Sequence, residues 1–161
     1  MKNILIIEDE EPIRRVLNRI LNDENSEFKI HEAINGNEAI EKLSRHKFDL
    51  AVCDIKMPKK DGLDVLKFAN KKNISTPFIM LTGHGNIETA VEAMKIGAYD
   101  FIEKPPDLNR LLISIKNAFK ITNLQSENIR LKKRLIKRHE MIGSSPKFTN
   151  VLKLIDKVAP T

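Results

Sequence analysis

A doubly wound α/β fold, with five parallel strands in the order 2-1-3-4-5 and helices on both faces, is the fold class this sequence predicts, and three observations predict it. Five short apolar runs alternate with segments of helical period, and strand-helix alternation builds a parallel sheet. Three of the runs, Ile4 to Ile7, Leu50 to Cys53 and Phe78 to Leu81, are continuously apolar, as strands covered on both faces must be, whereas Phe28-Lys29-Ile30-His31 alternates as an edge strand does. The first, third and fourth runs therefore lie inside the sheet and the second at an edge, and right-handed crossovers then favour the order 2-1-3-4-5.

The strands are expected at Asn3 to Glu8, Phe28 to Ala33, Leu50 to Asp54, Pro77 to Thr82 and Tyr99 to Glu103. Pro12 marks the start of the first helix, Asp61-Gly62 and Asn86 precede the third and fourth, and Gly97 closes the fourth. A last helix is expected after Pro105-Pro106, with Asp107 as its N-cap and no breaker before Gly143. About 30 residues of helix run roughly 45 Å at 1.5 Å per residue, more than one sheet face needs, so the helix should project. Along its distal part Ile121, Leu124, Asn128, Leu131 and Leu135 alternate at spacings of three and four, an a/d heptad seam through which two copies would pair. Asn128 takes an a-type position, where a buried polar residue favours an in-register parallel pair. The expected organisation is a folded domain over 1–120, a coiled-coil linker helix over 121–140 that continues its last helix, and the start of a further domain over 141–161. That last segment opens at Gly143-Ser144-Ser145-Pro146 and resumes helical period at Phe148, Val151, Leu152 and Ile155.

Composition excludes several classes of function. With 41% apolar and 31% charged residues in 161, the chain can build a core and is not disordered. The single cysteine, Cys53, leaves neither an internal disulfide nor a Cys-rich zinc framework, which suits a reducing compartment, the cytoplasm. The N-terminal apolar run is too short for a signal peptide or a membrane span, so no membrane association is expected. The net charge of +6 is local: residues 116–140 hold 8 Lys/Arg against 2 Asp/Glu, while residues 1–115 hold 17 against 19. This basic stretch has one aromatic, Phe119, and no second helix to make a helix-turn-helix, and it reads as a solvated connector rather than a nucleic-acid reader.

Open parallel sheets bind ligands outside the carboxyl ends of their strands, where the strand order reverses, here between strands 1 and 3. The chemistry-bearing residues fall there. Strand 1 ends at Glu8-Asp9, strand 3 at Asp54, strand 4 at Thr82 and strand 5 at Lys104. Carboxylates gathered at strand ends repel unless a cation shares them, and oxygen ligands without His or Cys suit Mg²⁺. Asp54, after Leu50-Ala51-Val52-Cys53, is expected to be the most enclosed carboxylate and can attack a phosphoryl group to give an aspartyl-phosphate. Phosphoryl transfer depends on neutralising the equatorial oxygens, a task for Mg²⁺, the Lys104 ammonium and the Thr82 hydroxyl. An Asp-nucleophile phosphohydrolase would need a second Asp two positions after the nucleophile, and Lys56 stands there.

These residues resemble the receiver domains of bacterial two-component response regulators, which have the flavodoxin-like fold. The resemblance covers residues 1 to about 120 and rests on Ile-Ile-Glu-Asp-Glu (6–10), Asp-Ile-Lys-Met-Pro (54–58) with Asp61-Gly62, Leu-Thr-Gly-His-Gly (81–85) and Gly-Ala-Tyr-Asp-Phe-Ile-Glu-Lys-Pro (97–105). It implies that Asp54 is the phosphoacceptor, that Asp9 and Asp54 ligate Mg²⁺ with Glu8 nearby or through water, and that the Lys56 backbone carbonyl is a further ligand. Lys104 and Thr82 would bind phosphoryl oxygens. A switch would couple Thr82 to an aromatic on strand 5, Tyr99, and Lys104-Pro105 would be cis. Residues 83–101 are similar to nitrogen-regulator (NtrC-type) receivers, and 141–161 to the entrance of the AAA+ ATPase domain of sigma-54-dependent activators. No Gly-rich phosphate loop occurs in the sequence, so ATP binding is not expected of it. The family implies a phosphorylation-controlled regulatory switch rather than an enzyme. Its partners would be a sensor histidine kinase, a second copy held through the receiver face and linker helix and, for a full-length transcription regulator, DNA and sigma-54 RNA polymerase.

Overall fold

In the computed structural model, which describes residues 1–83 and 87–139, the five strands are β1 (Lys2–Ile7), β2 (Phe28–Ala33), β3 (Leu50–Asp54), β4 (Phe78–Thr82) and β5 (Asp100–Glu103). They form one parallel sheet in the order β2-β1-β3-β4-β5. The expected order and the edge position of β2 are both found. β3 and β4 are buried at every residue, while β2 is buried only at Ala33. This is the difference that continuous and alternating apolar runs encode.

The helices are α1 (Glu11–Glu24), α2 (Gly36–Arg45), α3 (Gly62–Lys71), α4 (Ile87–Ile96) and α5 (Leu108–His139). Pro12 lies in the first turn of α1, where its missing N–H costs nothing. The Asp61 carboxylate caps α3 by accepting from the Asp64 N–H at 2.8 Å, and Asp107 does the same for α5 through Arg110. α2 has a cap of its own in Asn35, whose side chain accepts from the Glu38 N–H. Gly97 ends α4 with φ +116°, the left-handed conformation a helix C-terminus favours in glycine. Asn86, expected to precede α4, lies outside the described residues.

Two apolar layers sandwich the sheet. Leu5, Ile7, Ala51, Cys53, Phe78 and Met80 pack beneath α2, α3 and α4, with Leu43, Leu66 and Ala93 among the helix residues they meet. On the other face Ile4, Ile6, Val52, Ile79, Leu81 and Ile102 pack on Leu17 and Leu21 of α1 and Leu111, Ile115 and Ala118 of α5. The strict alternation of partners along β1 and β3 is the period-2 geometry of a doubly wound sheet. The strands depart from expectation by one residue at an end: β1 runs Lys2–Ile7 and leaves Glu8 just beyond it, β5 begins at Asp100, and Pro77 precedes β4 and only accepts, its carbonyl taking the Ala51 N–H at 2.9 Å.

The chain divides into two compact units, residues 1–123 and 124–161, and the sheet and both layers belong to the first. Of the expected heptad seam, Ile121 and Leu124 are 43% and 65% exposed, whereas the side chains of Asn128, Leu131 and Leu135 lie outside the described residues, as does the whole of 141–161. Among the described residues no helix is long and apolar enough to cross a membrane.

Candidate phosphoryl-acceptor and metal site

Glu8, Asp54 and Lys104 each continue, two residues on, a row of side chains that fills the α1/α5 layer: Ile6 to Glu8, Val52 to Asp54 and Ile102 to Lys104. Period-2 alternation therefore delivers three charged groups to the carboxyl end of the sheet on one face. The Lys104 ammonium stands 2.7 Å from Glu8 Oε2 and 2.9 Å from Asp54 Oδ2. Asp9 joins them, and carboxylate oxygens of Glu8, Asp9 and Asp54 all lie within 4.8 Å of one another. Three carboxylates face one ammonium here, with Glu8 and Asp54 buried and Asp9 half-buried. The Lys104-Pro105 bond is cis, as expected.

Burial orders these groups differently from the sequence expectation. Glu8, one residue past the end of β1, is 0% exposed and Asp54, the last residue of β3, is 3% exposed, so both carboxylates are enclosed and Glu8 slightly more so. Glu8 Oε2 is held by the Lys104 ammonium at 2.7 Å, and Glu8 Oε1 accepts from the Glu10 N–H at 3.4 Å. Desolvation pushes the Glu8 carboxyl above its ordinary value, with Lys104 opposing and the Asp54 charge reinforcing the rise. Desolvation likewise raises Asp54, against the pull of Lys104 and of the Lys56 N–H, which donates to Asp54 Oδ1 at 3.3 Å. Burial by itself would lower the Lys104 ammonium, but its bonds to Glu8 and Asp54 outweigh that and its net direction is up.

The donor set fits a hard divalent cation. It is all oxygen, and its three carboxylates outnumber the one ammonium that they share.

Thr82 ends β4, its carbonyl accepting from the Lys104 N–H at 2.7 Å and its hydroxyl donating weakly to the Gly83 carbonyl at 3.3 Å. The aromatic expected on strand 5 is displaced from its expected place. Tyr99 precedes β5; its N–H donates to the Phe78 carbonyl at 2.8 Å, and its ring packs on the α1/α5 layer. Phe78 opens β4 and Thr82 closes it, so Tyr99 and Thr82 sit at opposite ends. The aromatic within β5 is Phe101, opposite Met80, with Glu103 opposite Thr82. Phe101 therefore shares the sheet face of Thr82 and is 42% exposed. In the sequence both aromatics lie close to the Glu103-Lys104 end, and only the pairing of β5 with β4 separates Phe101, on the Thr82 face, from Tyr99, ahead of the strand.

The family model for the response regulator receiver domain matches residues 4–116. An NtrX-like response regulator of Rickettsia bellii is 39% identical over 159 residues, 98% of this chain and 33% of that protein. The nitrogen assimilation regulatory protein NtrX of Azorhizobium caulinodans is 35% identical over 161 residues, 99% of this chain and 35% of that protein. The crystal structure of NtrX from Brucella abortus is similar with a TM-score of 0.76 at 34% identity, covering 99% of this chain and 35% of that one. The chain spans about a third of the length of these relatives. A match across nearly all of the folded unit, on a sheet of this order with its acidic pocket at the strand-order reversal, makes the chain a member of the response regulator receiver domain family.

Proposed function

We propose that the domain is a phosphorylation switch in which Asp54 accepts a phosphoryl group from the phosphohistidine of a sensor kinase. The observation that carries this reading is the Lys104 ammonium shared between Glu8 and Asp54 beside Asp9. An Asp54 carboxylate oxygen attacks phosphorus, the new P–O bond forms as the P–N bond breaks, and the imidazole leaves with its electron pair, to be protonated by solvent. Lys104 is placed to follow the charge from the carboxylates to a phosphoryl oxygen, and the Lys56 N–H offers a fixed donor at the acceptor. The weak hydroxyl contact of Thr82 leaves it able to turn toward a second phosphoryl oxygen. Mg²⁺ held by Glu8, Asp9, Asp54 and the Lys56 carbonyl would neutralise the pocket and the transferred group.

The switch we infer is a two-state equilibrium biased by the new charge, read out where Thr82 and Phe101 share a sheet face beside α4. Two copies would then pair through the α4-β5 face and the linker helix, with 1–120 as the receiver, 121–140 as the linker and 141–161 as the entrance of an AAA+ domain. In a protein of the relatives' length, pairing would govern ATPase assembly at sigma-54 promoters. The catalytic role ends at phosphoryl acceptance, a switch and not a turnover enzyme, working in the cytoplasm. Intact mass after incubation with a small phosphodonor and Mg²⁺ tests the chemistry. One phosphoryl group gained, and lost both with chelator and in Asp54→Asn, is expected; no gain with any donor or kinase would reject it.

A further inference from the structure

The three carboxylates of the pocket are not held alike. Glu8 is fixed by Lys104 and by the Glu10 N–H at 3.4 Å, and Asp54 by Lys104 and the Lys56 N–H. Among the described residues, no hydrogen bond or ion pair holds the Asp9 carboxylate. Its direction is therefore set by the backbone that carries it, in the turn between β1 and α1.

That backbone is tied by one side chain. Arg14, in the first turns of α1 and only 11% exposed, reaches back to donate from Nη1 to the Glu8 carbonyl at 2.8 Å and to the Asp9 carbonyl at 3.4 Å. Its Nε donates to Glu32 Oε2 at 3.0 Å. Glu32, on β2 opposite Ile6, is held in turn by the Asn18 amide on its other oxygen and by Lys42 on its carbonyl. A rigid guanidinium fork so anchored restrains the peptide units on both sides of Asp9, which a flexible ammonium does not.

We propose that Arg14 is a positioning residue for the divalent-cation site: held by Glu32, it locks the Glu8 and Asp9 carbonyls and so aims the Asp9 carboxylate at Asp54. The proposal rests on the metal-site reading above. It has a sign that separates it from simple electrostatics. Arg14 is a cation near a cation site, so deleting its charge without moving anything would tighten Mg²⁺ binding; losing the lock weakens it. Outer partners of metal ligands are typically worth about 10- to 100-fold in affinity.

Titration calorimetry with Mg²⁺ on the whole chain tests this, comparing wild type, Arg14→Met, Asp9→Asn and the double variant. The expected result is about 10-fold weaker binding in Arg14→Met, and no further weakening when Arg14→Met is added to Asp9→Asn, since the carboxylate it aims is already gone. Affinity in Arg14→Met equal to or tighter than wild type overturns the proposal, and so does an equal weakening in both backgrounds, which would mark a general structural role. Should Arg14→Met not fold, Arg14→Lys takes its place: weaker binding with the charge retained supports the lock, and wild-type affinity overturns it. Failure of the wild type itself to bind Mg²⁺ overturns the metal site and the positioning role together.

Discussion

Gly62→Ala offers the sharpest test of how the fold builds its site. Gly62 opens α3 directly behind the end of β3 that carries Asp54, and its N–H donates to the Ile55 carbonyl at 2.8 Å. A Cβ there would stand 2.1 Å from the Asp54 carbonyl oxygen and 2.9 Å from Ile55 Cα. Both obstacles are backbone, pinned by the Ile55 N–H to Leu81 at 2.9 Å. A tolerable contact needs roughly 1 Å more room, so either α3 lifts and draws its buried Leu63, Val65 and Leu66 out of the apolar layer or the end of β3 moves. Overpacking costs about 1–3 kcal/mol and the strained Gly62 hydrogen bond about 1 kcal/mol. Alanine's better helix propensity returns up to about 1 kcal/mol. The expected net loss is about 2–3 kcal/mol, a fall of roughly 1–2 M in urea midpoint for a domain of this size. Because Asp54's own carbonyl is the obstacle, Mg²⁺ affinity should fall as well. Gly83→Ala is the matched control: nothing lies within 4 Å of its Cβ, and its cost should stay within about 0.5 kcal/mol. Urea melts in which Gly62→Ala lies within that same margin, or in which both substitutions cost alike, would refute the close-approach argument.

Three further outcomes follow from the pocket. Asp54→Asn should stabilise the metal-free protein at neutral pH. Because burial raises Asp54 and Glu8, their ionisation penalises the folded state above the ordinary carboxylate range and not below it. The stability gap between variant and wild type should accordingly open as pH rises through the raised values and close as it falls below about 4, measured as urea midpoint against pH; a gap that widens toward acid would contradict it. Lys104→Met leaves Glu8 and Asp54 facing each other without their ammonium and should cost about 3 kcal/mol at neutral pH, partly recovered by saturating Mg²⁺; thermal melts with and without the metal check both signs. Phe101→Ala should cost little stability, Phe101 being 42% exposed, yet change sedimentation after phosphorylation, while Tyr99→Phe leaves that response intact; the opposite pattern would return the switch to Tyr99.

Most of the fold was legible because its signals are local. Continuous apolar runs named β1, β3 and β4 as interior strands, alternation named β2 as an edge, and Pro12, Asp61, Gly97 and Asp107 punctuated helices through backbone and capping chemistry that needs no distant partner. The ends of strands were less legible, and Tyr99 shows why. A residue just before a strand looks the same in sequence as the first residue within it, and only the pairing of Asp100 with Ile79 decides where the ladder begins.

The sequence by itself also determined which side chains reach the carboxyl edge, since strand direction and period-2 alternation carry Glu8, Asp54 and Lys104 there. What only the tertiary structure decided was their ranking and their support. Glu8, one residue past the end of β1, is 0% exposed against 3% for Asp54. The turn carrying Asp9 is tied by Arg14, anchored on Glu32 from 18 residues away. Burial and long-range hydrogen bonds depend on which elements become neighbours, and no window of local sequence contains that information.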